Sequence, residues 1–558
     1  MRNRLSFVPF SCLMLFALAG CSASTSPAPV ASDDPFVQAE ENITKLTAPC
    51  TFVVSTGLMT VTVGANETAI ISRRAADSAI LQNGYACDNL ATNSALKKIA
   101  ITGNASANVI LDFTNGLFGV GTSSTATSGI TVTTAASVGI RGTTSADKVA
   151  YGSSGVNMNG DAFKDITFSG VTAHTVYLGD GADTFTTAGG TDIGTAFTTA
   201  INVYGGAGAD LFNQGTVATP NETIHGGADI DTVSYALRTA AITVTVGAGV
   251  NDGDAAAVSG AGEKDDINAD VEIVTGGTLA DTMTASTAAA ITFNGGLGND
   301  ILTGNTQNDT LNGDAGNDTL SGGDGDDTLS GGDGDDSFDE ETAPNGKDIF
   351  NGGAGIDTLD YSARTSGVTV TMDGTAANDG ETVGSASEGD NCKADVENIL
   401  GTTDDDTITG NALANTITGD DGNDTLNGGA GDDVFTTGAA ADGDDKIAGG
   451  TGIDSIDYST RTGPVTVVLD GATASGEGSE ADELALDMEN VTGTPLADNI
   501  TGNKSANELT GLAGVDTLVG LEGDDVLDGG GQADILDCGV GDGDIGFNAS
   551  GLKTACEF

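Results

Sequence analysis

GGLGNDILT, GNTQNDTLN, GDAGNDTLS, GGDGDDTLS and GGDGDDSFD follow one another from Gly295 to Asp339 without a slip in register. Each nonapeptide reads G-G-x-G-x-D-x-U-x, where U is a large apolar residue: Leu302, Leu311, Leu320, Leu329 and Phe338. Glycine at the first, second and fourth places permits left-handed backbone and close approach, so six residues can make a tight turn. The other three residues form a strand just long enough to aim one side chain inward. Two units then make one coil, and units 18 residues apart stack directly. This spacing predicts an all-β fold, a right-handed parallel β-roll or β-solenoid.

The pattern recurs outward from that block. GTTDDDTIT, GNALANTIT, GDDGNDTLN and GGAGDDVFT start at Gly401, and five further units start at Gly493. Weaker copies sit at Gly179, Gly205 and Gly277. A longer motif is superimposed: GGADIDTVSYALRT at Gly226, GGAGIDTLDYSART at Gly352 and GGTGIDSIDYSTRT at Gly449. Each is followed by a Val/Thr-rich strand, an acidic loop and the triplet Asp270-Val271-Glu272, Asp395-Val396-Glu397 or Asp487-Met488-Glu489. The tyrosine and arginine of each copy read as packing and charge pairing. Residues 49–290 carry short β-branched runs broken by Gly, Asn and Ser, and read as a β-rich solenoid region with degenerate repeats. Only residues 75–81 hint at a helical period. Residues 291–558 hold the regular repeat blocks with their inserts.

The charge says what the turns need. The 558 residues hold 81 Asp and Glu against 19 Lys and Arg, a net charge of −62, with no Trp and 4 % aromatics. That excludes nucleic acid and anionic lipid surfaces as electrostatic partners and favours cations. Residues 295–341 hold thirteen carboxylates and no Lys or Arg. One buried Leu per unit cannot offset nine ordered residues and that repulsion. Carboxylate and carbonyl oxygens suit Ca²⁺, with 6–8 ligands, whereas Mg²⁺ requires a stricter octahedron. His and Cys are absent from these turns, which argues against zinc or copper.

Asp309, Leu311, Gly316, Asp318, Leu320, Gly322, Gly323 and Asp327 fall at the spacing of the hemolysin-type calcium-binding signature. The block thus resembles the repeats-in-toxin (RTX) family. The resemblance implies that sixth-position Asp side chains and glycine-loop carbonyls of two stacked turns hold several calcium ions. Carried over, these are Asp300, Asp309, Asp318, Asp327 and Asp336, with third-position Asp324 and Asp333. The loop positions are Gly296, Gly298, Gly316, Gly323, Gly325, Gly332 and Gly334. Later blocks add Asp406, Asp424, Asp433, Asp516, Asp525 and Asp534, while Asp357 and Asp454 open inserts. Asn415 and Asn507 replace Asp, so those turns should be weaker or empty. RTX exoproteins generally use type I export, whereas this chain starts with a different kind of signal.

Arg2 and Arg4 precede an apolar stretch, Phe7 to Leu18, too short to span a bilayer, which ends in Leu18-Ala19-Gly20-Cys21. This resembles a bacterial lipobox, which implies a signal peptide over residues 1–20 and a lipid anchor on Cys21. Residues 21–48, rich in Ser, Ala, Thr and Pro, read as a flexible tether. The implied location is extracytoplasmic, as an outer-membrane lipoprotein or at the cell surface. In that oxidising compartment, closeness in sequence pairs Cys50 with Cys87 and Cys538 with Cys556, leaving Cys392 over.

Two functional classes remain. One is a non-enzymatic, calcium-stiffened surface protein acting in adhesion or envelope structure, with extracellular polysaccharide or other surface proteins as partners. The other is a polysaccharide-active enzyme with its site in residues 49–290. The first is preferred, with no catalytic residue assigned. His174 and His225 are the only histidines, and neither H-E-x-x-H nor G-x-S-x-G occurs.

Overall fold

The computed structural model describes residues 34–36, 50–53 and 58–556, apart from 77–78, 84, 87–95, 97, 117–128, 161–162, 191, 219–220, 250–251, 255–262, 376–377, 384–385 and 548–550. Cys21, the tether to residue 33 and Cys87 lie outside them. The described residues contain strands and no helix, so none crosses a membrane as an apolar helix. Around residues 75–81, where the sequence hints at a helical period, there is a turn followed by the strand Ile80–Gln82.

The nonapeptides form the expected roll. Leu302 pairs with Leu320 and Leu320 with Phe338 along one wall. Phe293, Leu311, Leu329 and Phe350 align along the opposite wall. All are buried, and one apolar cluster runs from Cys50 to Cys538. Each three-residue strand is long enough for one inward side chain, so the core between the walls is filled in single file.

Of the two reasons the sequence offers for the first glycine of each turn, the structure uses close approach. Positive φ occurs at the second and fourth places, as at Gly332 (120°) and Gly334 (137°), but not at Gly313 or Gly331. A Cβ on Gly313 would lie within 2.6 Å of both Asp318 Oδ2 and the Gly331 carbonyl oxygen. Space, not backbone conformation, requires glycine there.

The inserts exchange one wall for another. A first wall stacks Ile166–Asp180, Ile201–Ala207 and Glu222–Ala228 and ends on Asp266–Ile267. A second runs from Lys148–Gly152 through Thr292–Leu297 to Asn391–Cys392. The third starts at Ile242–Val246, before the first has ended, and continues to Ile545–Phe547. Val368–Thr371 likewise begins a fourth wall before the second ends, and Val465–Val468 a fifth before the fourth ends at Glu483–Leu484. Each insert is therefore a three-walled coil between two-walled stretches.

That wider coil holds the motif's Tyr and Arg. Arg364 is 1 % exposed. It bonds Glu340 at 2.5 Å and Glu388 at 2.7 Å, and sits 5.4 Å from the Tyr361 ring centre. Arg238 pairs with Glu263, and Arg461 with Asp442 and Glu480. At the far end a disulfide joins Cys538 to Cys556. Cys50 is disulfide-bonded, and Cys392 is free and buried on the last strand of the second wall.

Candidate metal centre

The sixth-position aspartates form ladders along the turn edges. Asp318 Oδ1 accepts the Asp300 N–H at 2.7 Å, Asp336 that of Asp318 at 2.8 Å, and Asp357 that of Asp336 at 2.9 Å. On the other edge Asp327 accepts from Asp309 and Asp348 from Asp327, both at 2.7 Å. Later ladders join Asp406, Asp424 and Asp445, then Asp433 and Asp454, then Asp516 and Asp534, then Asp525 and Asp544.

One oxygen of each carboxylate is thus used. The other, Oδ2, is buried without a hydrogen-bond partner at Asp300, Asp318, Asp327, Asp336 and Asp357. The same holds at Asp424, Asp433, Asp454, Asp516, Asp525 and Asp534. A buried unpaired acceptor is costly, and here it recurs with the coil period. At Asp300, Asp318 and Asp433 that oxygen shares its space with a glycine-loop carbonyl of the next coil, as at Gly313. A Cβ on Gly295 would likewise meet Asp300 Oδ2 and the Gly313 carbonyl, and one on Gly428 would meet Asp433 Oδ2 and the Gly449 carbonyl. Hard oxygens from two coils, one of them charged and unpaired, fit a calcium ion. When bound, the ion would supply the positive charge that these turns lack.

Not all predicted ligands are alike. Asp309 Oδ2 accepts the Asn305 N–H of its own loop and Asp406 Oδ2 that of Thr402, both at 2.6 Å. Asp498 does the same with Thr494, while Asn415 and Asn507 use Oδ1 to accept from Asn411 and Asn503. All five sit in the first turn of a ladder, with no glycine turn of the same edge beneath. Their side chains close their own loops. Asp324 and Asp333 stand exposed at the third places of their turns, and their side chains do not join the sixth-position ladders. Gly296, Gly298, Gly316, Gly323, Gly325, Gly332 and Gly334 all have positive φ, as close stacking of the turns demands.

The ladders also end in a fixed way, which sequence reading missed. Asp357 N–H donates to Glu397 Oε2 at 2.9 Å, and Asp454 N–H to Glu489 Oε2 at 3.0 Å. These are the last residues of the Asp-Val-Glu and Asp-Met-Glu triplets. The partner ladder ends on Asp390, whose Oδ2 accepts the Tyr361 hydroxyl at 3.0 Å. Tyr458 does the same for Asp482. Asp348 was missed because the loop before it is three residues longer, which shifts the step from 18 to 21. Glu340, Glu388 and Asp390 place carboxylate oxygens within 4.8 Å of one another, but the two glutamates are already bonded to Arg364.

Burial and neighbouring aspartates push Asp300, Asp327 and Asp336 up to about 7, and Asp424 to about 8. Without calcium the folded chain then holds more protons than the unfolded chain between the ordinary value of 3.8 and about 7. Stability of the calcium-free roll therefore falls as pH rises through that window. Calcium must displace the same protons, so its affinity falls as pH drops below about 7. We expect strand signal in chelator to grow on acidification from pH 7.5 to 5, and the calcium midpoint to rise over the same range. Circular dichroism checks both, and a pH-independent midpoint would contradict the burial of these carboxyls.

The sequence profile of the RTX calcium-binding nonapeptide repeat matches residues 292–320, 313–339, 345–360, 400–435, 409–442, 439–457, 492–527 and 510–545. No curated protein matches the chain. The stretches that place unpaired carboxylate oxygens against glycine-loop carbonyls are thus, for the greater part, copies of the RTX calcium-binding repeat.

Proposed function

We propose that this chain is a calcium-stiffened rod, held to a membrane outside the cytoplasm by lipid on Cys21, that works in adhesion or envelope structure. The observation that carries the reading is the run of buried, unpaired carboxylate oxygens along the roll edges. They call for a cation between stacked ladder turns, and calcium is abundant outside cells. Proteins with RTX repeats are typically secreted or extracellular. The histidines support a non-enzymatic role. His174 is buried against Phe168 and Phe197, and burial lowers it to about 4. His225 stacks on Tyr204 with centroids 4.4 Å apart.

Cells making the wild-type chain should incorporate a palmitate analogue into a membrane-associated mature form. Cys21→Ala should yield no acylated form and leave the chain unanchored. Equal labelling of the two would defeat the anchor.

A further inference from the structure

The repeat profile begins at residue 292, yet the same carboxylate arrangement exists well before it. Four turns join the first wall to the second, and their aspartates form one ladder. Asp147 N–H donates to Asp183 Oδ1 at 2.6 Å, Asp183 N–H to Asp210 at 2.8 Å, and Asp210 N–H to Asp231 at 2.8 Å. Asp231 N–H ends the ladder on Glu272 Oε2 at 2.9 Å.

This ladder obeys the rules of the later ones. Its first member, Asp147, closes its own loop by accepting the Thr143 N–H with Oδ2 at 2.6 Å. The next three do not. Oδ2 of Asp183, Asp210 and Asp231 is buried with no hydrogen-bond partner, and the residues are 1 %, 2 % and 0 % exposed. A Cβ on Gly226 would lie within 2.5 Å of both Asp231 Oδ2 and the Asp270 carbonyl oxygen, and one on Gly205 would meet Asp210 Oδ2 and the Gly226 carbonyl. Gly206 and Gly208 have positive φ and face the Gly179 and Gly181 carbonyls of the coil before. The steps between aspartates are 36, 27 and 21 residues rather than 18, because the second-wall side of each coil varies in length. A fixed-period pattern cannot register such coils.

We infer that Asp183, Asp210 and Asp231, with the glycine-loop carbonyls between them, form a divalent-cation track of two positions that takes calcium in the N-terminal half of the rod. This rests on the calcium reading of the later turns and extends it to a segment with no regular repeat. The residue types are the same hard oxygens, and neither His nor Cys is present to favour a softer metal.

Hydrogen exchange of the mature full-length chain, read by mass spectrometry in chelator and in calcium, tests it. Amides of residues 179–184, 205–212 and 226–232 should gain protection with calcium. Asp210→Asn with Asp231→Asn should abolish that gain, leave the response of residues 313–339 intact, and lower bound calcium by two ions per chain. If the N-terminal turns are equally protected with and without calcium while residues 313–339 respond, the track does not exist and the later sites stand. If neither segment responds, the calcium reading itself fails.

Discussion

In chelator at pH 7.5, residues 295–339 should lose their exchange protection, and Asp318→Asn and Asp309→Asn should then separate sharply in calcium. The two aspartates occupy the same place in adjacent nonapeptides. Asp318 lies mid-ladder, with Oδ2 buried and unpaired. Amidation there removes a charged oxygen from the space shared with the Gly331 carbonyl. Affinity in oxygen-ligand sites follows ligand charge, so the calcium midpoint should rise by about tenfold or more, roughly 1.4 kcal/mol per ion. Asp309 opens its ladder, and both its oxygens accept backbone N–H groups, from Asn305 and Ile291. Asn at that place can still close the loop, as Asn415 and Asn507 do at 2.8 Å. The loss is one hydrogen bond, about 0.5–1.5 kcal/mol, spread over a cooperative block. Its midpoint should move by no more than about twofold. Exchange of residues 313–339 against free calcium measures both. Equal midpoints, or full protection in chelator, would rule out ladder turns that differ in what they offer a cation.

Arg364→Leu should be the most damaging single change in the second insert. Its guanidinium lies between Glu340 and Glu388 and also bonds Asn345 at 2.9 Å. Removing one partner of a buried ion pair leaves charge without compensation, at a cost of about 3–5 kcal/mol. Even with Arg364 beside it, burial holds the Glu340 carboxyl up at about 7. Without the arginine Glu340 should hold its proton more tightly still, so the variant should be weakest at alkaline pH and recover towards pH 5. Adding Glu340→Gln and Glu388→Gln should restore most of the loss at neutral pH. Urea unfolding in saturating calcium, followed by exchange of residues 349–372, gives the reading. A variant as stable as wild type at pH 8 would show that the pair contributes nothing.

The β-roll was legible because the 9-residue period carries its own geometry: three glycines for the turn, one apolar residue per strand, 18 residues per coil. Most carboxylates of the site were legible for the same reason. What escaped depends on neighbours in the stack, which a local motif does not contain. Stacking at 18 residues already sets Asp318 in two turn pairs and Asp309 in one, but that Asp309 closes its own loop appears only in the coil. Asp348 and Asp544 keep the ladder through loops of irregular length. Tyr361 and Glu397 were visible as repeated residues, but their task as terminal partners of the ladders appears only when walls are exchanged. For the first glycine the sequence offers both φ and close approach as reasons, and only close approach applies.

The exchange of walls at the inserts also makes the rod discontinuous in an electrical sense. Among the described residues no carboxylate ladder crosses an insert: one set closes on Glu272, the next on Asp390 and Glu397, the next on Asp482 and Glu489. Each starts afresh from a self-closed turn such as Asp406 or Asp498. The apolar core is continuous, but the ionic lattice along its edges is tiled. An ion lost from one tile uncovers no ligand in its neighbour, and a buried arginine paired with carboxylates sits at each seam. On the calcium reading the inserts should work as firebreaks: a chain with 81 acidic residues would shed cations locally without unzipping from end to end.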